Sequence, residues 1–369
     1  MKKTMYITAS IVAIFSLATA YTLNQLKFGK LPSGERLERI KKSPNYKDGS
    51  FQNQSITPVM AEDASYYSVG KEMLFGKNKR VSPVDTIPTK KTDLKHLDKN
   101  KDVLVWFGHS SYFIQLDGKR ILVDPVLSDN ASPFSFTIKA FKGTNCYTAD
   151  DIPDIDYLFI SHDHWDHLDY ETVMKLKPRI RKVICGLGVG EDFEYWGFDK
   201  KSVIEMDWNE QVLLDRGFTV NAVPARHFSG RGLTRNKTLW VAFVLQTPTM
   251  KLYLGGDGGY DKHFAEIGKK FGPIDLAILE NGQYNKNWRY IHLLPNDLLK
   301  AFHDLNAKRL FAVHSSKFAL ANHPWDEPLI KIAAASKKFN IPLITPMIGE
   351  QVNLKDNNQK FTEWWEGIK

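Results

Sequence analysis

Cysteine is scarce in this sequence of 369 residues, and its scarcity narrows the chemistry available to the chain. Only Cys146 and Cys185 occur, without CxxC spacing, so there is neither a disulfide framework nor a cysteine zinc site. A Walker loop, a dinucleotide fingerprint, internal repeats and low-complexity tracts are also missing from the sequence. Any metal site must therefore be built from histidine and carboxylate side chains.

Acidic residues are markedly fewer than basic residues only in the first part of the chain. Residues 1–26 carry two lysines and no acid, residues 27–101 carry 16 basic and 9 acidic side chains, and residues 102–369 carry 32 and 33. The net charge of +8 therefore lies near the N-terminus, and the near-neutral remainder argues against extended nucleic-acid binding. The hydrophobic content of 43% predicts a large packed core.

Residues 1–26 have the composition of a signal peptide or a membrane anchor. Two lysines precede an apolar run over residues 7–20 that ends in the small-residue pattern Ala-Thr-Ala. The run is shorter than the roughly 20 residues that span a bilayer, which favours cleavage and export, but its continuation to Leu23 also allows an uncleaved anchor. We expect membrane association, and the side of the membrane stays open because the basic residues after the run favour a cytoplasmic domain for an uncleaved helix.

The rest of the chain divides into a basic N-terminal extension over residues 27–101 and a predicted catalytic domain over residues 102–369. The extension is rich in Lys, Asn, Ser and Pro and shows little periodicity beyond a helical stretch at 64–75. Strands are predicted at 103–107, 112–116, 121–123, 157–160, 182–184, 203–206, 218–223, 240–246, 251–254, 276–279, 310–313 and 342–344. Helices are predicted at 170–176, 261–270, 295–305 and 326–339. This mixture predicts an α/β protein with two sheets between helices.

The hexapeptide over residues 162–167 is the densest cluster of metal-binding side chains in the sequence. His162-Asp163-His164-Trp165-Asp166-His167 places three imidazoles and two carboxylates directly after a predicted strand. Such a loop can present alternate side chains to one ion and the next pair to a second. A polar surface loop is the alternative interpretation, but it gives no reason for this density.

Three further candidate ligands follow predicted strands in the same way. His227 follows the strand at 218–223, Asp257 the strand at 251–254, and His314 the strand at 310–313. Binding residues collect at strand ends, where loops on a rigid scaffold converge. We therefore expect these side chains to join the hexapeptide at one site.

The pattern HxHxDH followed by His, Asp and His resembles the metallo-β-lactamase superfamily. This resemblance implies an α/β fold of four layers, the αββα metallo-β-lactamase sandwich, carrying the N-terminal extension. By motif position, His162, His164 and His227 would hold a first ion, Asp166, His167 and His314 a second, and Asp257 would bridge them. Zinc is the expected metal for both ions, and iron and manganese accept the same ligand types.

A narrower resemblance extends over most of the chain, to the family of N-acyl-phosphatidylethanolamine-hydrolysing phospholipases D and their bacterial relatives. The matching pieces are residues 43–49, 51–53, 106–110, 122–125, 224–227, 255–260 and 314–322. His292, in the segment 290–295, resembles the family's His-x-x-Pro element beside the active site, although the residues between differ.

This resemblance implies a zinc-dependent phosphodiesterase of phospholipase D type that acts on N-acyl-phosphatidylethanolamine-like lipids. A metal-bridging hydroxide would attack phosphorus, with Asp166 and His292 as the catalytic residues, and the implied partners are a phospholipid substrate and a membrane surface. His109 is interpreted either as support for a ligand or as a core histidine, and Asp124 as a residue that orients a loop near the metals.

Other functions fit the same residues. A shared fold and metal site do not fix a substrate, so a lactonase or a nuclease is an alternative. A membrane-tethered metal-binding protein without catalysis is a second alternative, which a metal-dependent turnover assay distinguishes. The acyl and head-group preference and the oligomeric state are left open by the sequence.

Overall fold

The computed structural model of the chain describes residues 2–76 and 80–369. The N-terminal part contains α1 (Lys2–Leu23), α2 (Gly34–Lys41), the hairpin of β1 (Tyr46–Lys47) and β2 (Ser50–Phe51), and α3 (Tyr66–Phe75). Within α1, the stretch from Thr4 to Leu23 is apolar and long enough to cross a bilayer, and it is not buried against the rest of the protein.

The first of two seven-stranded sheets follows the N-terminal part. Its strands and the helices between them are β3 (Val103–Trp106), β4 (Tyr112–Leu116), β5 (Lys119–Val123), β6 (Ile155–Ile160), α4 (Tyr170–Leu176), β7 (Ile180–Gly186), α5 (Gly190–Tyr195) and β8 (Val203–Met206). The strand order is β16-β3-β4-β5-β6-β7-β8, where β16 is the last strand of the chain. Pairing is antiparallel from β16 to β5 and parallel from β5 to β8.

The second sheet is built in the same way. Its elements are β9 (Gln211–Asp215), β10 (Phe218–Val223), β11 (Ala242–Gln246), β12 (Lys251–Leu254), α6 (His263–Phe271), β13 (Leu276–Glu280), α7 (Pro295–Asp304), β14 (Leu310–Val313), α8 (Glu327–Phe339) and β15 (Leu343–Ile344), and β16 (Gln351–Asn353) returns to the first sheet. The order is β15-β14-β13-β12-β11-β10-β9, antiparallel from β9 to β12 and parallel from β12 to β15. The two sheets thus share one strand pattern, although the sequence shows no repeat.

Aromatic side chains join the inner faces of the two sheets. Phe159 on β6 and Phe243 on β11 meet edge to face with ring centroids 5.1 Å apart, and Trp106 on β3 meets Phe311 on β14 at 6.2 Å. Such pairs contribute about 0.5–1.5 kcal/mol beyond the area that they bury. With helices flanking both sheets, the arrangement confirms the predicted αββα architecture.

The parallel strands determine where loops converge. Residues of β6 and β14 are almost completely buried, as expected for parallel strands covered on both faces. The carboxyl ends of parallel neighbours lie at one edge of a sheet, so β13 and β14 of the second sheet present their loops together. These loops face the loop after β6 of the first sheet. This edge carries the site described below.

The N-terminal extension is bound to the rest of the chain by polar contacts. The guanidinium of Arg36 contacts the carboxylates of Glu191, Glu194 and Glu205, and its side chain is only 10% exposed. Asn45 Nδ2 donates to Asp207 Oδ1 at 2.9 Å. The extension therefore packs against the core, while the domain boundaries at 26/27 and 101/102 stay predictions.

Candidate metal centre

The hexapeptide forms a tight loop directly after β6, and its first two histidines meet His227. His164 Nδ1 lies 2.9 Å from His162 Nε2 and 3.3 Å from His227 Nε2. Asp257 Oδ2 lies 3.9 Å from His162 Nε2 and 3.8 Å from His227 Nε2. The structure therefore brings together the four side chains predicted to surround the first ion.

The side chains predicted for the second ion also converge. Asp166 Oδ2 lies 3.6 Å from His167 Nε2 and 3.4 Å from His314 Nε2. Asp257 presents its other oxygen, Oδ1, to His167 Nε2 at 3.2 Å, and its Oδ2 lies 3.2 Å from His314 Nε2. Asp257 thus lies between the two groups, as a bridging carboxylate must.

Unpaired polar atoms test whether metal ions fit this cluster. His167 Nε2 and Asp257 Oδ1 are fully buried and lie 3.2 Å apart without hydrogen-bond geometry, and neither atom has another hydrogen-bond partner, although buried polar atoms almost always have one. Within each group the potential ligand atoms all lie within 4.8 Å of one another. Nitrogen and carboxylate donors at this spacing fit zinc, iron or manganese.

Hydrogen bonds outside the cluster fix the orientation of two histidine rings. His167 Nδ1 donates to Asp124 Oδ2 at 2.8 Å, and Asp124 is itself held by Ser161, whose backbone N donates to its Oδ1 at 2.8 Å. His227 Nδ1 donates to the carbonyl of Ile291 at 2.8 Å. Each bond leaves the Nε2 lone pair directed at the site, which is how supporting groups commonly orient metal-binding histidines. Asp124 therefore orients the loop of the hexapeptide, as expected.

His109 supports Asp166 and also braces the loop of His314. His109 Nε2 lies 2.9 Å from Asp166 Oδ2. Its backbone N donates to Ser315 O at 2.9 Å, and its carbonyl accepts from His314 N at 2.9 Å. Both histidines have left-handed backbones, with φ of 53° and 66°. Such conformations are costly for non-glycine residues and cluster at functional sites, so the first of the two interpretations of His109 applies.

Glu280, the last residue of β13, is a site residue that the sequence analysis missed. Its Oε2 lies 2.6 Å from His292 Nδ1 and 3.2 Å from His314 Nδ1, and its Oε1 accepts from the backbone N of Gly258 and of Leu293, both at 2.9 Å. His292 stacks on His314 with ring centroids 5.3 Å apart. The sequence offered one signal for Glu280, a carboxylate directly after a predicted strand. The same position after a strand identified His227 and His314.

Asn53 is a second residue that the sequence analysis did not assign to the site. Its Nδ2 donates to His227 O at 2.7 Å, and its Oδ1 accepts from His227 N at 3.0 Å and from Trp240 Nε1 at 3.1 Å. The N-terminal extension thereby holds the backbone of a candidate ligand in place. Its only sequence signal was its position in the matching segment 51–53.

The charges of the site favour a cation. Burial, followed by the neighbouring imidazoles, holds the pKa of His162 well below its usual range, so this ring is neutral and can donate its lone pair to a metal. Burial would also lower the pKa of His314, but Asp257 and the carboxylates beside it raise that pKa to about 10. The carboxylates therefore stabilise positive charge at the place where the predicted ions would lie.

The cluster opens into a cavity of about 430 Å³. His164, Asp166, His227, Asp257, His292 and His314 contribute to its lining. Most of the other side chains around it are apolar, namely Val59, Met60, Phe228, Trp288, Ile291 and Leu320, together with Arg235 and Gln283. A larger cavity of about 750 Å³, in the region of residues 127–149 and 171–175, includes none of the predicted site residues. The smaller cavity is therefore the candidate substrate site.

Comparisons with known proteins identify the family. The model of the beta-lactamase superfamily domain matches residues 119–315. An uncharacterised protein of Mycobacterium tuberculosis is 36% identical over 327 residues, which cover 88% of this chain and 87% of that protein. The N-acyl-phosphatidylethanolamine-hydrolyzing phospholipase D 1 of Caenorhabditis elegans is 30% identical over 227 residues, covering 57% of this chain and 62% of that enzyme.

A solved structure supports the same fold. The isothiocyanate hydrolase from Delia radicum gut bacteria superposes with a TM-score of 0.54 over 68% of this chain and 98% of that one, at 17% identity. The fold and the family predicted from the sequence are both confirmed. The chain therefore belongs to the metallo-β-lactamase superfamily and is a metal-dependent hydrolase of that superfamily.

Proposed function

We propose that this protein is a phosphodiesterase of phospholipase D type that hydrolyses N-acyl-phosphatidylethanolamine-like lipids at a membrane. The observation that carries the proposal is the cavity, in which five of the seven candidate ligands lie beside a predominantly apolar wall. An apolar wall suits acyl chains, and a cation-binding cluster suits an anionic phosphodiester. The similarity to the nematode phospholipase D supports the choice of substrate.

In this proposal His162, His164 and His227 hold one zinc ion, Asp166, His167 and His314 hold a second, and Asp257 contributes to both. Two bound ions would activate a water molecule near neutral pH and neutralise the phosphate. Hydrolysis forms a bond from the water oxygen to phosphorus and breaks the bond from phosphorus to the head-group oxygen. The products are a phosphatidic acid and an N-acylethanolamine.

The residues of the chain itself position the substrate and move protons. Glu280 Oε2 accepts from His292 Nδ1 at 2.6 Å, which fixes the orientation of the imidazole at the cavity. His292 can then hold a proton at Nε2 for the departing head-group oxygen. Asp166 would act both as a ligand and as a catalytic residue. The hydrogen bond from His109 fixes Asp166 Oδ2, the oxygen that lies near His167 and His314.

The proposed membrane localisation is supported by α1. Its apolar stretch is long enough to act as a membrane anchor, and the same stretch is compatible with an export signal. An uncleaved anchor would keep the chain at a membrane, where its proposed substrate resides, and an export signal would carry the chain across one.

A turnover screen tests the proposed function. The purified full chain, loaded with zinc, is incubated with a lipid extract, and the products are identified by mass spectrometry. We expect paired gain of phosphatidic acid and N-acylethanolamine that stops when a chelator is added. Chelator-sensitive hydrolysis of a lactone without any change in the lipids would refute the proposal and favour a lactonase.

A further inference from the structure

Large exposed apolar side chains surround the C-terminal end of α1, and we call this surface the foot face. It comprises Leu26, Leu31, Phe134, Phe136 and Leu233, whose exposed fractions are 50%, 56%, 45%, 73% and 82%. The rings of Phe134 and Phe136 lie 5.7 Å apart. Single exposed apolar residues are ordinary on a soluble protein, whereas a group of them marks an interaction site.

The three segments that carry the foot face adjoin one another. Lys27 Nζ donates to Pro133 O at 2.6 Å, which places the loop of the two phenylalanines beside residues 26–28. A Cβ built on Gly232 would lie 3.8 Å from Leu23 Cδ2, so the loop of Leu233 lies beside the end of α1. Leu23, Leu31 and Leu233 also contribute to the lining of one cavity of about 290 Å³.

One buried arginine, Arg231, joins the segment that follows α1 to the loop that contains the hexapeptide. Arg231 donates from Nε and Nη2 to Lys27 O at 3.1 and 2.8 Å, and from Nη1 to Asp163 O and Leu168 O at 2.9 and 2.6 Å. Its guanidinium lies 4.0 Å from the centre of the Trp165 ring. The segment that follows α1 is therefore held by contacts with the loop that contains the candidate ligands.

We propose that the foot face is the surface by which this protein docks on a lipid bilayer, through apolar contact. If α1 crosses a bilayer, the residues beside Leu23 lie at the surface of that bilayer, because the apolar stretch ends there. Phenylalanine and leucine side chains at this depth bury their apolar area among lipids. The inference rests on the proposed function only for the identity of the substrate.

Three cations of the basic N-terminal extension are paired with carboxylates of the core. Arg36 is surrounded by three glutamates, Arg39 pairs with Glu210 at 3.1 Å, and Lys91 pairs with Asp151 at 2.6 Å. These cations of the basic extension are neutralised by carboxylates of the core. Because the proposed contact is apolar, docking through the foot face should depend little on salt, in contrast to binding through free lysines.

The foot face also shares a loop with the wall of the metal-centre cavity. Leu233 belongs to the loop that continues from His227, and two residues of that loop, Phe228 and Arg235, contribute to the wall of the metal-centre cavity. The Phe228 ring lies 4.4 Å from the His164 ring and 5.1 Å from the guanidinium of Arg235. Docking would hold the side of the cavity formed by this loop near the lipid from which a substrate must be drawn.

Label quenching in nanodiscs tests the docking surface. The full chain is reconstituted in phosphatidylcholine nanodiscs with an environment-sensitive fluorophore on Phe136→Cys, on Leu233→Cys, or on the matched control Phe339→Cys. Phe339 is 53% exposed and ends α8 just before β15, at the edge of the sheet opposite His314. The parent chain, labelled in parallel, gives the background from Cys146 and Cys185.

We expect nitroxide-bearing lipids to quench the labels at 136 and 233 several-fold more than the label at 339, equally at 0.1 and 1 M salt. Equal quenching at all three positions overturns the proposal, and so does quenching that disappears at high salt. A second variant combines Phe134→Ser, Phe136→Ser and Leu233→Ser, and it should lose turnover of vesicle lipid while keeping turnover of a water-soluble phosphodiester. Insertion without any lipid turnover by the parent chain would sustain the docking surface and refute the proposed function.

Discussion

Replacing His292 with alanine separates catalysis from metal binding. The imidazole has its Nδ1 2.6 Å from Glu280 and stacks on His314 with ring planes inclined by 16°. Truncation removes the proton carrier, and general acid–base assistance typically contributes 10²–10⁴-fold, which corresponds to about 3–5 kcal/mol of activation free energy. We therefore expect His292→Ala to lower kcat by that factor.

Metal content should survive this change. His314 loses a ring contact worth about 1 kcal/mol but keeps Glu280 Oε2 at 3.2 Å from its Nδ1, so its position remains supported. By contrast, Glu280→Gln removes the charge that holds both histidines, and we expect it to lower turnover and metal content together. The exposed His96, which pairs with Asp93, provides the matched control His96→Ala with parental turnover.

The assay measures turnover of a generic phosphodiester and the metal content of each variant by plasma mass spectrometry. Loss of metal in His292→Ala would show that His292 is a ligand, since it also groups with Asp257, Glu280 and His314. Undiminished kcat with full metal content would show that the ring carries no proton in the reaction. Both results would refute the role assigned to His292.

Three further changes test the metal bridge and the attachment of the N-terminal segment. Asp257→Asn should deplete metal and abolish turnover, because a neutral amide bridges two cations poorly. Metal analysis of the parent should find about two ions per chain, and a reproducible value near one would contradict a dinuclear site. Asp192→Asn should raise Tm over the parent by an amount that grows from about pH 4 to pH 8 and then levels off. Burial raises the pKa of Asp192 from 3.8 to about 8, so the folded parent loses stability as pH rises through this window. A difference independent of pH would refute this explanation. Gly29→Ala should lower Tm more than Gly34→Ala. Both glycines have positive φ, but only a Cβ at position 29 would lie 1.9 Å from Asp192 Oδ1. Equal losses of Tm in the two variants would show that the clash is relieved.

The sequence predicted those parts of the site that depend on local pattern. The hexapeptide lies in one loop, and His227, Asp257 and His314 each follow a strand, so residue type and strand periodicity were enough to predict the cluster. Glu280 and Asn53 were missed because their roles depend on tertiary contacts, with His292 and His314 in one case and with His227 in the other.

The fold was predicted to a similar extent. The bounds of α4 matched the prediction, and those of α7 and α8 differed by one residue at one end. Six short elements were not predicted, namely α2, β1, β2, α5, β9 and β16. Buried Glu191 and Asp192 obscure the pattern of α5, and the exposed edge strand β9 lacks a sustained apolar run. Their form is determined by neighbours such as Arg36 and β10, which single-sequence periodicity does not reveal.

The metal centre is divided between the two sheets, and this division has a consequence for folding. The hexapeptide and His109 belong to the first sheet, whereas His227, Asp257 and His314 belong to the second. Neither half of the chain contains all seven candidate ligands, so we expect high-affinity metal capture to follow the docking of the halves. An ion bound across the interface then selectively stabilises the native state over half-folded ones. Metal uptake during refolding would therefore report the last long-range step of assembly, after secondary structure has formed.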